Sequence, residues 1–105
     1  MMKVTVLYSL PSDPDAFEAY YLPHHDPLAR RIPGLLRLET ARATGTPDGS
    51  PPPHYRSAEL YFEDMAAVGA GFGSEEGKAA AKDAGELAAR TGSTTTFVFS
   101  EVDPS

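Results

Sequence analysis

At 105 residues the chain has room for one domain around one core, and its length argues against two. Hydrophobic residues make up 41% and charged residues 23%, a globular balance that argues against disorder as the global state. Fifteen Asp and Glu against nine Lys and Arg give a net charge of −6, which repels nucleic acid and anionic membranes, and the lack of cysteine removes disulfides and thiolate chemistry.

Lys3 to Leu10 is β-branched and aromatic and ends at Pro11, so it is expected as a strand. Val4, Val6, Tyr8 and Leu10 share one side, and Leu7 makes the other side apolar too, as in an inner strand. The segment lacks the longer apolar stretch and cleavage site of a signal peptide, and no stretch is long enough to cross a bilayer. No membrane association and a cytoplasmic location are therefore expected.

Ser12-Asp13-Pro14-Asp15 is a helix start, with Ser12 or Asp13 as cap. Phe17, Tyr20, Tyr21, His24 and Leu28 follow at spacings of three and four, which makes one apolar to aromatic face. Pro23 and Pro27 each lack an N–H and cost about 3 kcal/mol in a helix interior. A kink or break is expected across Pro23 to Pro27, with Asp26 as cap and Pro27 as first residue of a restart reaching Ile32.

Leu35 to Ala43 alternates imperfectly and is expected as a half-exposed edge strand. Gly45 to Pro53 is a polar, proline-rich loop. His54 to Phe62 is a third strand, with Ala58, Leu60 and Phe62 on one face and Tyr55, Ser57, Glu59 and Tyr61 on the other. Asp64 caps a short helix carrying Met65, Val68 and Phe72, and a second helical segment runs from Ser74 to Ala89 and stops at Gly92. Thr94 to Val102 is the last strand, with Phe97 and Phe99 opposite Val98.

The order is βαββαβ, which predicts one α+β domain over residues 1–105, ferredoxin-like, with a four-stranded antiparallel sheet. Both helical crossovers then cover one sheet face. Leu7, Tyr55, Tyr61 and Val98 are expected opposite, an apolar face that a second copy would cover to form a dimeric α/β barrel with a central cavity.

Chemistry is densest in Tyr20-Tyr21-Leu22-Pro23-His24-His25-Asp26-Pro27-Leu28. A histidine against apolar surface near a carboxylate suits acid–base work. The structural alternative has Asp26 as a helix cap, His24 in solvent and the tyrosines in the core. Metal binding is disfavoured, because adjacent histidines diverge by about 100° on a helix, and His54 is the only other one. No G-x-S-x-G elbow or phosphate-binding glycine loop is present, and the glycines at 69, 71, 73 and 77 read as helix breakers. Glu59 is an inward carboxylate if its face lines the cavity and a solvated one otherwise.

The opening KVTVLY strand, Phe17 with Tyr20-Tyr21, then His25-x-Pro27-Leu28 and Pro33-Gly34 occur in this order. Ala58-Glu59-Leu60-Tyr61-Phe62 before Asp64, then Ser74-x-Glu76-Gly77 and Asp83, complete a pattern that resembles the EthD-like family of dimeric α/β-barrel proteins. The resemblance implies a homodimer, no organic cofactor, and a pocket for small hydrophobic or aromatic compounds. It places the family's histidine at His25, and Asp26 stands where an apolar residue is usual.

Three functional readings follow. In the first, His25 is the proton shuttle of a cofactor-independent isomerase, lyase or monooxygenase. Tyr21 and Tyr61 join it as catalytic groups, and Tyr8, Tyr20, Leu28 and Glu59 contact the substrate. In the second, the dimer binds a hydrophobic ligand without chemistry, as an accessory protein of a catabolic or biosynthetic pathway. In the third, a histidine holds haem.

Overall fold

The computed structural model describes residues 1–104. Its elements are β1 (Met2–Tyr8), α1 (Pro14–Tyr20), a π-helical turn (Tyr21–His25), α2 (Asp26–Ala29), β2 (Arg37–Arg42), β3 (Arg56–Phe62), α3 (Met65–Gly73), α4 (Glu75–Thr91) and β4 (Thr95–Glu101). The expected βαββαβ order is present. β1 starts one residue earlier than expected and stops two short of Leu10, β3 starts two residues late and ends at Phe62 as expected, and β2 and β4 are shorter at both ends. The sheet order is β2-β3-β1-β4, antiparallel throughout, with β1 inside and β2 at an edge.

Local chemistry sets the helix ends. Asp13 caps α1 by accepting from Ala16 N–H at 3.1 Å, and Asp64 caps α3 by accepting from Ala67 N–H at 2.8 Å. Ser74 caps α4, and Gly92 ends it in the left-handed region at φ 73°, where a side chain is disfavoured.

The Pro23–Pro27 segment neither breaks nor restarts. Its hydrogen bonding widens instead, with Asp26 N–H donating to Tyr21 C=O five residues back, and then returns to the α pattern at Arg30. Missing proline donors are tolerated because the wider turn changes which carbonyls need partners. Asp26 is thus helical itself (φ −53°, ψ −44°) and does not cap a new helix, and α2 ends at Ala29 short of Ile32.

The core lies between the sheet and the helices. Val4, Val6, Leu38, Ala58, Leu60 and Phe62 meet Phe17, Tyr21, Ala84 and Leu87, all buried. Burial of such side chains contributes roughly 1.5–3 kcal/mol each for the larger ones.

The other sheet face corrects the expected apolar surface. Cross-strand register puts Lys3, Thr5 and Leu7 level with Tyr61, Glu59 and Ser57, and with Ser100, Val98 and Thr96, so polar groups predominate. Tyr61 lies under the Arg37 guanidinium at 4.3 Å and donates to Glu59 at 3.0 Å. Tyr55 is not on this face. It precedes β3 and packs edge-on against Phe17 on the helix side. Val98 is 42% exposed on this open face, and Phe97 and Phe99, at the β4 edge on the helix side, are 44% and 58% exposed.

Candidate functional site

A narrow pocket with a free volume of about 30 Å³ lies between the sheet and the helices. Its sheet wall includes Val6, Tyr8, Ala58 and Leu60, and its helical wall includes Tyr21, His25 and Asp26. The alanines at 80, 81 and 84 of α4 form a third side, and their small side chains leave the space open. Phe97 stands at the β4 edge of the same pocket.

The π turn arranges the polar side chains. His25 lies one α-like turn beyond Tyr21, and their rings are 5.5 Å apart. The widened turn brings Asp26 beneath Tyr21 as well, so two consecutive residues reach the pocket.

His25 is buried, and its Nδ1 lies 2.8 Å from Oδ2 of Asp83 on α4. The other Asp83 oxygen accepts from the Tyr20 hydroxyl at 2.7 Å. An ionised carboxylate can only accept, so this contact favours a hydrogen on Nδ1 and leaves Nε2 as a free acceptor. Among the described residues nothing hydrogen-bonds Nε2.

Burial, reinforced by Tyr21 and Asp83, pushes the Tyr8 hydroxyl far up from its ordinary value. Burial also pushes Tyr21 up to about 12, opposed by Arg56 and assisted by Asp26 and Glu18. Both phenols therefore remain protonated near neutrality and present O–H donors. Neither hydroxyl has a hydrogen-bond partner among the described residues.

A second layer holds Tyr21. The buried Arg56 guanidinium lies 4.7 Å from the Tyr21 ring centroid. Glu18 grips it through Nε at 3.0 Å and Nη2 at 2.8 Å, and Tyr55 donates to Glu18 at 2.9 Å.

The structure therefore brings Tyr8, Tyr21 and His25 together at one pocket, with Tyr20 joined to them through Asp83. Tyr61 and Glu59 lie across the sheet and do not reach it. Leu28 faces a separate shallow groove beside Glu75 and Glu76. His24 is exposed and lies against Tyr20. Asp83 and Arg56 are additions to the expected site. Asp83 interrupts the apolar stripe of Ala80, Ala84 and Leu87, and Arg56 shares strand parity with Ala58 and Leu60; a charge on an inward face is the available signal. Among the described residues no three His, Asp or Glu side chains are grouped to hold a metal ion.

A four-stranded antiparallel sheet with helices packed on one face defines an α+β protein of ferredoxin-like fold. The EthD domain family model matches residues 10–91, and the chain belongs to the EthD family.

An uncharacterized 11.0 kDa protein from the thcB-thcC intergenic region of Rhodococcus erythropolis is 41% identical over 88 residues, 84% of each chain. The crystal structure of an EthD family protein from Bacillus halodurans C-125 superposes with a TM-score of 0.89 at 34% identity, over 98% of this chain and 99% of the other. SnoaB of Streptomyces nogalater, a cofactor-independent oxygenase, gives 0.67 at 12% identity, covering 99% of this chain and 94% of that one. A dimeric ferredoxin-like protein of unknown function from Thermobifida fusca gives 0.69 at 14%, covering 96% and 90%. No helix among the described residues is long and apolar enough to cross a membrane.

Proposed function

We propose that this chain binds a small hydrophobic or aromatic molecule between its helices and sheet, and that His25 acts on it as an acid–base catalyst without a cofactor. One observation carries the reading. Asp83 holds His25 Nδ1 at 2.8 Å beside a largely apolar pocket, and no protein group among the described residues takes Nε2.

In this reading Nε2 accepts a proton from an acidic C–H or O–H of the bound molecule. The resulting imidazolium is stabilised by the Asp83 carboxylate. Tyr8 and Tyr21 donate hydrogen bonds to the oxygen on which negative charge develops, and Nε2 then returns the proton. Isomerisation, elimination and oxygenation of an activated phenol can all begin with such a transfer. The described activity of the Streptomyces nogalater neighbour supports the reading at the level of fold alone.

The test is a thermal-shift screen with aromatic and polyketide-like compounds, followed by assays of each hit for conversion. His25→Ala is expected to abolish conversion while leaving the fold intact. Conversion that survives this change removes His25 from the mechanism, and hits that are never converted favour a binding protein.

The reading includes a homodimer. Phe97 and Phe99 leave an apolar strip on the edge strand β4, and Phe97 belongs to the pocket wall. An exposed edge strand with apolar side chains favours a second chain. The Thermobifida fusca neighbour is described as dimeric, which supports a homodimer at the level of fold alone. Light scattering should give the mass of two chains, reduced towards one by Phe99→Glu. A wild-type mass of one chain at high concentration removes the dimer.

A further inference from the structure

Asp26 is the part of the pocket that the proton-transfer reading leaves unused. Its Oδ2 accepts from Arg30 Nε at 2.7 Å, which fixes the carboxylate along the helix. Its Oδ1 is shielded from solvent and has no hydrogen-bond partner among the described residues. The side chain is only 14% exposed, and the residue lines the same pocket as His25. A buried carboxylate oxygen without a partner is costly, so its retention calls for a physical reason.

We propose that Asp26 selects the ligand, its Oδ1 accepting a hydrogen bond from a hydroxyl on an otherwise aromatic molecule. This rests on the reading of the pocket as a ligand site and narrows it to hydroxylated aromatic compounds. An ionised carboxylate accepts hydrogen bonds and donates none, so a ligand carbonyl or carboxylate at this position meets repulsion. An ammonium would have to shed most of its hydration to enter a pocket whose walls are mostly aliphatic and aromatic. A hydroxyl brings one donor, which matches one orphaned acceptor. The π turn ties this recognition to the chemistry, because it presents Asp26 and its chain neighbour His25 to one space.

The experiment compares matched pairs, phenol with benzene and 2-naphthol with naphthalene, by calorimetric titration of the wild type, Asp26→Leu and Asp26→Asn. The wild type is expected to prefer the hydroxylated member by about tenfold or more, the gain of a hydrogen bond to a charged acceptor. Asp26→Leu is expected to keep the hydrocarbon affinity and lose the preference. Asp26→Asn, nearly isosteric, keeps the conclusion testable if the leucine variant does not fold, and should reduce the preference several-fold. Equal wild-type affinity for both members of a pair, or a preference that survives both substitutions, overturns the role of Asp26 while the pocket stands. Failure of all four compounds to bind the wild type overturns the ligand-site reading and the role of Asp26 with it.

Discussion

Asp83 and His25, 58 positions apart in the chain, are joined by a 2.8 Å hydrogen bond that spans two helices. The bond fixes the ring in rotation and favours the Nδ1–H tautomer, the state in which Nε2 can take a proton. Tyr20 pins the same carboxylate from outside at 2.7 Å, so Asp83 is itself oriented. Asp83→Asn should therefore act by misplacing a proton, with little effect on packing. Turnover of a confirmed substrate is expected to fall about 10²–10⁴-fold. Nitrogen chemical shifts of His25 should show the Nδ1–H tautomer in the wild type and its loss in the variant. An unchanged tautomer alongside full turnover would refute the positioning role.

Glu18 and Arg56 give a prediction in pH. The Arg56 guanidinium holds the Glu18 carboxyl below its ordinary value of 4.5, against a smaller opposing effect of burial, and Tyr55 contributes a further hydrogen bond. A lowered folded-state value stabilises the fold above the unfolded value, and that stabilisation disappears as pH falls through the folded value. At neutral pH, Glu18→Gln should cost about 1.5–3 kcal/mol, because Arg56 loses its charged partner. In acid the wild-type side chain is neutral too, so the two proteins should converge. Urea unfolding of both across the acid range measures the gap, and a gap constant with pH would contradict the argument.

Two glycines on α4 should respond in opposite ways to the same substitution. A Cβ on Gly77 would come within 2.6 Å of Phe72 Cα and would collide with the Gly71 carbonyl, both backbone groups of α3 that cannot swing aside. Gly77→Ala should lower stability by about 1–3 kcal/mol. Gly85 has nothing within 4 Å of such a Cβ and is exposed, so Gly85→Ala should raise stability by up to about 1 kcal/mol through helix propensity. Thermal unfolding of the pair decides it. Equal effects would mean that the α3–α4 contact is looser than its geometry.

Alternation and capping make the sheet and helices readable. Val4, Val6 and Tyr8 declare one inward side of β1, and Asp64 and Ser74 mark where helices begin. The Pro23–Pro27 segment departs from expectation because proline rules describe the α pattern, whereas the chain keeps its helix by widening one turn. Counting tyrosines as apolar makes the open sheet face look greasier than it is. Tyr61 is buried under Arg37 and bonded to Glu59, and Tyr55 turns to Phe17 before the strand begins. His25 is visible from its neighbours, but Asp83 is distant in sequence, and only the packing of α4 against the π turn brings the two together.

The alanines of α4 offer the most direct control on the pocket. Ala80 and Ala84 are buried and packed, so enlarging either would strain the core, whereas Ala81 is only half-buried and lines the cavity. Ala81→Leu adds three carbons at the pocket wall, more than its free volume of about 30 Å³ leaves room for beside a ligand. Its side chain should occupy the volume a ligand needs without displacing the sheet. Stability is expected to stay level or rise by about 0.5–2 kcal/mol, as cavity filling commonly does. Thermal shifts with every aromatic hit should disappear, while the tautomer of His25, held by its 2.8 Å contact with Asp83, should not change. A variant that folds, keeps that tautomer and still binds the hits with wild-type affinity would place the ligand elsewhere, because no other change separates an occupied pocket from a disturbed catalytic pair.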